Sequence, residues 1–272
     1  MGKYLIVVGI VVLTALLAGV FPYAQNNNVN ERPLVVALDT FYSVDLDSDE
    51  AAVCYLGDFA FFIRTANQVI LIDPSDEISS RDIYAIRKLD ILLISGKEGN
   101  YYETTQSIYQ RTNSTVITNR EVYNELEDSI PAGKLRAMSS GERLSISDTT
   151  VTALSSNPNS NEPLMFIISI YGRSLFYGSD TNYDEEFSDL LAVLSNDARN
   201  IDVAFVPTEG VLTEPASRYA VDIVKTLGAE VVITMHGSAG EQNGLKNLLD
   251  KEIPNVSVLV PERLWVYEIV VT

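Results

Sequence analysis

The sequence is poor in the residues that most often build metal and nucleophilic sites. Its 272 residues include one histidine, His236, and one cysteine, Cys54. A single cysteine excludes an intramolecular disulfide and a cysteine-based zinc cluster. A single histidine excludes every site that needs several imidazole ligands. Because Cys54 lies in an apolar stretch, we expect it to be a buried structural thiol.

Basic residues are also scarce. The chain has 19 Lys and Arg against 37 Asp and Glu, which gives a formal net charge of -18. Proteins that bind nucleic acid draw much of their affinity from Lys and Arg on phosphates, so this charge excludes a nucleic-acid partner. It equally disfavours docking on an anionic lipid surface, and we interpret the acidity as a device for solubility.

Several motifs of catalytic proteins are missing. The sequence has no glycine-rich phosphate loop. The segments SGKEG and HGSAG bring serine close to glycine, but neither has the Gly-x-Ser-x-Gly order of a nucleophile elbow. Nucleotide-dependent chemistry and serine hydrolysis are therefore disfavoured.

The longest apolar run is at the start of the chain. Residues 4–21 read YLIVVGIVVLTALLAGVF, and Lys3 precedes them. This length predicts a transmembrane helix, with residues 1–22 as a membrane anchor and the polar residues 23–32 as a linker. The alternative is a signal peptide that is cleaved and leaves a secreted protein. The position of Lys3 places the remainder outside the cytoplasm in either case.

Residues 33–272 alternate short β-rich runs with helical patterns and show no break in composition, which predicts one α/β domain. The predicted strands are PLVVALD, FAFFIRT, QVILIDP, DILLIS, STVIT, RLSI, TTVTAL, LMFIISIYG, SLFYG, DVAFVP, EVVITM, NVSVLV and LWVYEIVV. Helices are predicted near residues 82–88, 103–111, 119–130, 184–195, 215–227 and 241–249. Each half begins with antiparallel hairpins and continues with β-α-β units, so we expect an αββα sandwich of two mixed sheets.

Five segments follow one another along the chain: the opening hairpin YLGDFAFFIRTANQVILIDP, the strand and loop LDILLISGKEGNYY, the hairpin and turn GRSLFYGSDT, the strand and turn IDVAFVPTEG, and the strand EVVITMHG. Taken in this order, they resemble the metallo-β-lactamase superfamily and in particular its UlaG-like branch. The resemblance extends over roughly residues 35–272 and implies the fold; it does not by itself imply the activity.

The resemblance also implies where metal ligands would stand, and most of them are replaced. The family's Thr-His-x-His-x-Asp-His loop corresponds to Gly96, Glu98, Asn100 and Tyr101, and a further family histidine falls near residues 155–157, where no histidine exists. Two family ligands are retained, namely the bridging aspartate as Asp180 and the final histidine as His236. We predict a vestigial metal group of Asp180, His236, Glu98 and Asn100, and a pocket lined by Asp58, Gly96 and Tyr101.

Two functions follow from this pattern. The first is a non-catalytic domain, held at the membrane by its N-terminal helix, which binds no cofactor and acts through a protein partner or its own oligomer. The alternative is a hydrolase with a reduced, mononuclear site, in which Glu98, Asp180 and His236 converge on one divalent ion: zinc, manganese, magnesium or calcium.

Overall fold

The fold is a sandwich of two mixed β-sheets with helices on its outer faces. The computed structural model describes residues 19–22, 34–47, 50–74, 78–97, 101–155, 163–180 and 200–270. The predicted αββα arrangement is confirmed for these residues, whereas the helix predicted at residues 184–195 lies outside them.

The first sheet has eight strands in the order β1-β15-β2-β3-β4-β5-β6-β7. Their bounds are β1 Gly19–Pro22, β2 Glu50–Gly57, β3 Ala60–Arg64, β4 Val69–Ile72, β5 Ile91–Ile94, β6 Thr115–Thr118, β7 Leu135–Ala137 and β15 Val266–Val270. Strands β1, β15, β2, β3 and β4 pair antiparallel, and β4 to β7 pair parallel.

The second sheet has seven strands in the order β14-β13-β12-β11-β10-β9-β8. Their bounds are β8 Arg143–Ile146, β9 Thr149–Leu154, β10 Met165–Ile170, β11 Arg173–Tyr177, β12 Val203–Pro207, β13 Val231–Met235 and β14 Ser257–Leu259. Strands β11 to β14 are parallel, so the carboxyl ends of β11, β12 and β13 meet at one edge of the sandwich.

The helices cover each sheet separately. Those on the first sheet are α1 Leu34–Ser43, α2 Ser80–Ala85, α3 Tyr101–Thr112 and α4 Arg120–Leu126; those on the second are α5 Ala216–Leu227 and α6 Ala239–Glu252. One hydrophobic core fills the space between the sheets and under α1 to α4, and a second lies between the second sheet and α5 and α6. The strands between these layers are almost continuously apolar because both of their faces are buried.

The two best-defined helix starts follow from local sequence. Ser79 before α2 and Ser238 before α6 each cap the helix and form a capping box, with Asp82 and Glu241 as the respective acidic partners. In each box the serine hydroxyl accepts from a backbone N–H of the first helical turn, and the acidic side chain accepts from the backbone N–H of the serine. The capping box of α6 fixes the turn that follows β13, which is one of the turns at the carboxyl edge.

The first predicted strand, PLVVALD, was wrong, because residues 34–43 form helix α1. Leu34, Ala37, Leu38 and Phe41 are all buried, and their i, i+3, i+4, i+7 spacing is that of a helix packed on a sheet. The β-branched Val35 and Val36 favoured a strand locally, but the burial of this apolar stripe outweighs that preference.

The end of the predicted membrane segment also differs. Gly19–Pro22, the last four residues of the predicted anchor, form strand β1, which pairs antiparallel with β15 in the first sheet. The rest of the predicted anchor, residues 1–18, and the predicted linker, residues 23–32, lie outside the described residues. Among the described residues, no helix combines the length and the apolarity needed to cross a bilayer.

Candidate metal centre

A group of acidic side chains and the histidine lie on turns at the carboxyl edge of the sandwich. Asp58 follows β2, Asp180 lies three residues after β11, Glu209 lies two residues after β12, and His236 directly follows β13. Strands end at this edge in both sheets, so residues far apart in sequence are brought together where the backbone leaves the core. Such an edge is where open α/β sheets commonly bind ligands.

The register of β12 and β13 places two of these turns side by side. The strands are parallel, with Pro207 opposite Met235. The next residues, Thr208 and His236, are therefore neighbours, and Glu209 follows Thr208 on the same turn. The Nε2 atom of His236 lies 2.9 Å from a carboxylate oxygen of Glu209.

The imidazole of His236 is held on three sides. Its Nδ1 atom makes a short hydrogen bond with the Asp58 carboxylate, while Nε2 faces Glu209. The ring also stacks on Phe59, with centroids 4.2 Å apart and planes 17° from parallel. Phe59 is 2% exposed, so the ring rests on a fixed part of the core. The orientation of the only imidazole in the chain is thus set by the turn between β2 and β3.

The two carboxylates determine the charge of the ring. Burial alone would lower the pKa of His236, but the hydrogen bonds to Asp58 and Glu209, together with the charges of Asp58 and Asp180, outweigh burial and raise this pKa to about 9. In the absence of any other cation, His236 is therefore an imidazolium at neutral pH that donates to both carboxylates.

The backbone has an uncommon conformation at Asp58, in the turn after β2, and at His236, in the turn after β13. His236 and Asp58 are not glycine, yet their φ angles are 52° and 54°. Two hydrogen bonds fix His236 there: its N–H donates to the Asp58 carbonyl over 3.0 Å, and the Thr208 hydroxyl donates to its carbonyl. Non-glycine residues in this left-handed region are uncommon, and strained backbone persists where the surroundings enforce it, often at functional sites.

Three of the side chains can be ligands to one cation. Asp180, Glu209 and His236 each offer a donor atom, and these atoms all lie within 4.8 Å of one another. Ligand atoms about 2.1 Å from a common ion lie roughly 3–4 Å apart, so small side-chain rotations would bring the three to one ion. Because the Glu209 side chain is 72% exposed, it has room to make that movement. The donor set of two carboxylates and one imidazole fits a single divalent metal ion.

Asp58 has the position of a supporting residue. In metal sites a histidine that binds through one ring nitrogen commonly donates the other N–H to a carboxylate, which fixes the tautomer and orientation of the ring. Asp58 accepts at Nδ1, which leaves Nε2 directed toward Glu209 and available for an ion when the ring is neutral.

A buried carboxylate underlies the neighbouring loop. Asp73, directly after β4, is 1% exposed; its oxygens accept from the Ser95 N–H at 2.7 Å and from the Tyr177 hydroxyl at 2.6 Å. Burial raises the pKa of Asp73 to about 6, although the bonds from Tyr177 and Ser95 oppose the shift. This arrangement fixes the exit of β5, where the loop with Gly96 begins.

The predicted site residues meet only in part. Asp58 and Asp180 both lie beside His236. Gly96 is buried on the loop after β5 and offers no side-chain ligand. Glu98 and Asn100 lie outside the described residues, as does the side chain of Tyr101, which is the first residue of α3.

The residue that the sequence analysis missed is Glu209. It stands in the turn PTEG, which was used as evidence for the fold and not for a ligand. The sequence held one signal for this ligand: two apolar runs of equal length, each followed directly by a polar turn. If two such strands are parallel neighbours, their carboxyl ends, and so their polar turns, must be adjacent. Strand order was needed to use this signal, and the sequence does not state it.

The comparisons with known proteins agree with this architecture. A family model described as a beta-lactamase superfamily domain matches residues 52–236. A UPF0173 protein from Pyrococcus abyssi is 28% identical over 215 residues, covering 77% of this chain and 95% of the relative. A UPF0173 metal-dependent hydrolase from Alkaliphilus metalliredigens is 29% identical over 194 residues, covering 67% of this chain and 83% of the relative.

Solved structures show the same fold at lower sequence identity. The metallo hydrolase Igni18 from Ignicoccus hospitalis has a TM-score of 0.63 at 19% identity, with coverage of 79% of this chain and 96% of that one. The metallo-beta-lactamase fold protein YhfI from Bacillus subtilis has a TM-score of 0.61 at 12% identity, with coverage of 81% and 100%.

Proposed function

The chain belongs to the metallo-β-lactamase superfamily, and from that premise we propose that it is a metal-dependent hydrolase with one divalent ion in place of the family's two. The observation that supports this most is the convergence of Asp180, Glu209 and His236, whose donor atoms lie within 4.8 Å of one another at the carboxyl edge of the sandwich. A relative with 29% identity is named a metal-dependent hydrolase, which favours this function over the non-catalytic one predicted first.

The reduction to one ion follows from the residues available. The loop after β5 has Gly96 at the first ligand position that the family resemblance implies, and the chain has no histidine besides His236. A second ion would therefore lack the imidazole ligands that the family positions imply. Glu209 compensates in part, because it adds a carboxylate at a turn next to His236.

The donor set indicates which ions to test. Carboxylate oxygens suit magnesium, calcium and manganese, and imidazole suits zinc, iron and nickel. Manganese and zinc are each bound by both ligand types in proteins, so they are the best probes. Bound here, such an ion would supply a Lewis acid for the scissile group and would lower the pKa of water near the site.

The residues of the chain have separate roles in this proposal. Asp180, Glu209 and the Nε2 atom of His236 hold the ion. Asp58 holds the ring through Nδ1, and Phe59 supports its face. Because His236 is protonated at neutral pH in the metal-free protein, the ion must displace a proton, and binding should tighten as pH rises toward about 9.

The proposal is tested by metal-dependent hydrolysis. The metal-free protein is assayed on phosphodiester, carboxylic ester and lactone substrates, with and without Mn²⁺ or Zn²⁺. Activity that appears with the ion should fall at least about a hundredfold in Asp180→Asn and Glu209→Gln. Glu230→Gln is the matched control, since Glu230 is an exposed acid at the opposite end of β13. Activity that is equal with and without metal, or unchanged in the two site variants, would refute the proposal.

A second candidate is the non-catalytic domain, and one observation favours it. The imidazolium of His236 has both ring nitrogens paired with carboxylates of Asp58 and Glu209, so a positive charge already lies between these acids without a metal ion. A binding or scaffold role would then depend on a protein partner or on self-association. A protein that binds neither Mn²⁺ nor Zn²⁺ and hydrolyses none of the substrates would support this candidate. A location outside the cytoplasm remains a proposal based on the apolar leader.

A further inference from the structure

The two turns that hold Glu209 and His236 are joined by a third residue, Glu241. We propose that Glu241 is a positioning residue, whose carboxylate bridges the turn after β12 and the turn after β13 and so keeps Glu209 and His236 at binding distance. This inference rests on the proposed metal centre, but its structural part can be tested without any metal.

The bridge consists of hydrogen bonds from both turns to one carboxylate. One oxygen of Glu241 accepts from the Gly210 backbone N–H at 2.8 Å, directly after Glu209. The other accepts from the Ser238 N–H at 2.7 Å and the Ser238 hydroxyl at 2.8 Å, two residues after His236. Hydrogen bonds to an ionised acceptor are stronger than neutral ones, and these hold the pKa of Glu241 below its usual value.

The approach of the two turns is close enough to need a glycine. At Gly237, whose φ angle is 76°, an added Cβ would lie 2.6 Å from the Thr208 hydroxyl oxygen, 3.1 Å from the Glu209 nitrogen and 3.2 Å from a Glu241 oxygen. Each of these neighbours belongs to Glu241 or to the turn that Glu241 holds. The close packing at Gly237 therefore agrees with the hydrogen bonds of Glu241, because the backbones of the two turns touch at the point that the carboxylate spans.

A capping box alone does not account for this bond. The same motif occurs at α2, where one oxygen of Asp82 accepts from the Ser79 N–H at 3.0 Å and the Ser79 hydroxyl at 2.6 Å. In the part of the chain that the structure describes, the Asp82 carboxylate bonds only at its own helix start. Glu241 makes the equivalent bonds to Ser238 and adds the bond to Gly210, so its second oxygen serves a different turn.

The bridge matters because Glu209 stands in an exposed turn. Its side chain is 72% exposed, and within the described part of the chain its carboxylate bonds to His236 itself. The carboxylate of Glu209 is therefore placed by its backbone. That backbone is held by the turn bond from the Val211 N–H to the Thr208 carbonyl, and it is tied to the neighbouring turn by the bond from the Gly210 N–H to Glu241. Supporting residues of this kind typically change metal affinity by about ten- to a hundredfold when they are removed.

The first test uses the metal-free protein. Backbone amide exchange is measured by NMR in wild type, Glu241→Ala and the matched control Asp82→Ala. We expect the Gly210 amide to exchange about tenfold faster in Glu241→Ala, and the ring signals of His236, which are unambiguous in a chain with one histidine, to shift. Asp82→Ala should lose its capping box and leave both signals unchanged. Equal behaviour of the two variants would overturn the inference.

The second test measures Mn²⁺ affinity by titration calorimetry on the same three proteins and on Glu241→Gln. Glutamine keeps one acceptor oxygen, its amide carbonyl, in case the alanine variant is poorly folded. We expect Kd to rise about ten- to a hundredfold in Glu241→Ala, by less in Glu241→Gln, and not at all in Asp82→Ala. Unchanged affinity in both Glu241 variants would overturn the positioning role. If wild type binds no Mn²⁺ while the Gly210 amide responds as expected, the metal centre fails and the bridge stands.

Discussion

The charge of His236 should stabilise the metal-free protein in a pH-dependent way. The perturbation is His236→Asn, because asparagine tolerates the left-handed backbone found at this position, where φ is 52°. The substitution removes the imidazolium that lies between Asp58 and Glu209 while avoiding new backbone strain. The quantity to measure is the difference in free energy of unfolding between wild type and variant.

The magnitude follows from the shift in pKa. Hydrogen bonds and nearby carboxylates raise the pKa of His236 to about 9 against burial, from 6.5 in the unfolded chain. Without a correction for solvent screening, this shift corresponds to about 3 kcal/mol of folding free energy. The partners are exposed, Asp58 at 45% and Glu209 at 72%, so solvent screening reduces the expected contribution to about 1–2 kcal/mol.

The direction of the pH dependence follows from the linkage between proton binding and folding. A folded-state pKa above the unfolded one means that the folded protein binds the proton more tightly, so the stabilisation is complete below pH 6.5 and disappears as pH rises through about 9. Urea unfolding of both proteins after removal of metal, at several values between pH 6 and pH 10, measures this difference. A difference that stays constant over this range, or that grows with pH, would refute the reasoning.

Three further predictions concern the surroundings of the centre. Tyr177→Phe removes the hydroxyl that donates to buried Asp73, and should lower the free energy of unfolding in urea by about 2 kcal/mol at pH 8. The loss should be smaller at pH 5, because Asp73, with a pKa of about 6, is protonated there. An equal loss at both pH values would contradict this. Gly237→Ala should lower the free energy of unfolding by at least about 2 kcal/mol and weaken Mn²⁺ binding. The control is Gly141→Ala, at a similar positive φ of 84° but with open space around it, which should lower the free energy of unfolding by only about 1 kcal/mol and leave binding unchanged. Similar effects in both variants would argue against close packing at Gly237. Cys54 is fully buried, which raises its pKa to about 12, so iodoacetamide should label it only after unfolding, and rapid labelling of the native protein would show that the core is more open than described.

The sheets could be predicted well from sequence because most strands are buried on both faces. Runs such as VILI, ILLI and VVITM are too short for typical helices and too apolar for loops, and each forms a strand. Local apolarity was misleading only at the start of the domain, where LVVALDTFYS satisfies both a strand and a helix by composition. Its packing against the first sheet decides in favour of the helix, and that partner cannot be read from the segment.

The site was harder to predict because it depends on neighbours that are distant in sequence. His236 and Asp180 were identified by their place in family motifs, and the pairing of Asp58 with His236 joins residues 178 positions apart. Glu209 has no motif of its own, and its role follows from the register that sets Pro207 opposite Met235. A candidate ligand that lies outside the family positions is found through strand order, which the sequence pattern alone does not contain.

The most direct test of the central claim is the metal stoichiometry of the protein purified without chelator and then equilibrated with Mn²⁺ or Zn²⁺. Elemental analysis should find about one ion per chain, and the ion should be lost in Asp180→Asn, Glu209→Gln and His236→Asn but retained in Glu230→Gln. Retention of the ion in Glu209→Gln and Asp180→Asn, or the absence of any stoichiometric metal in the wild-type protein, would contradict the single-ion centre described for these residues.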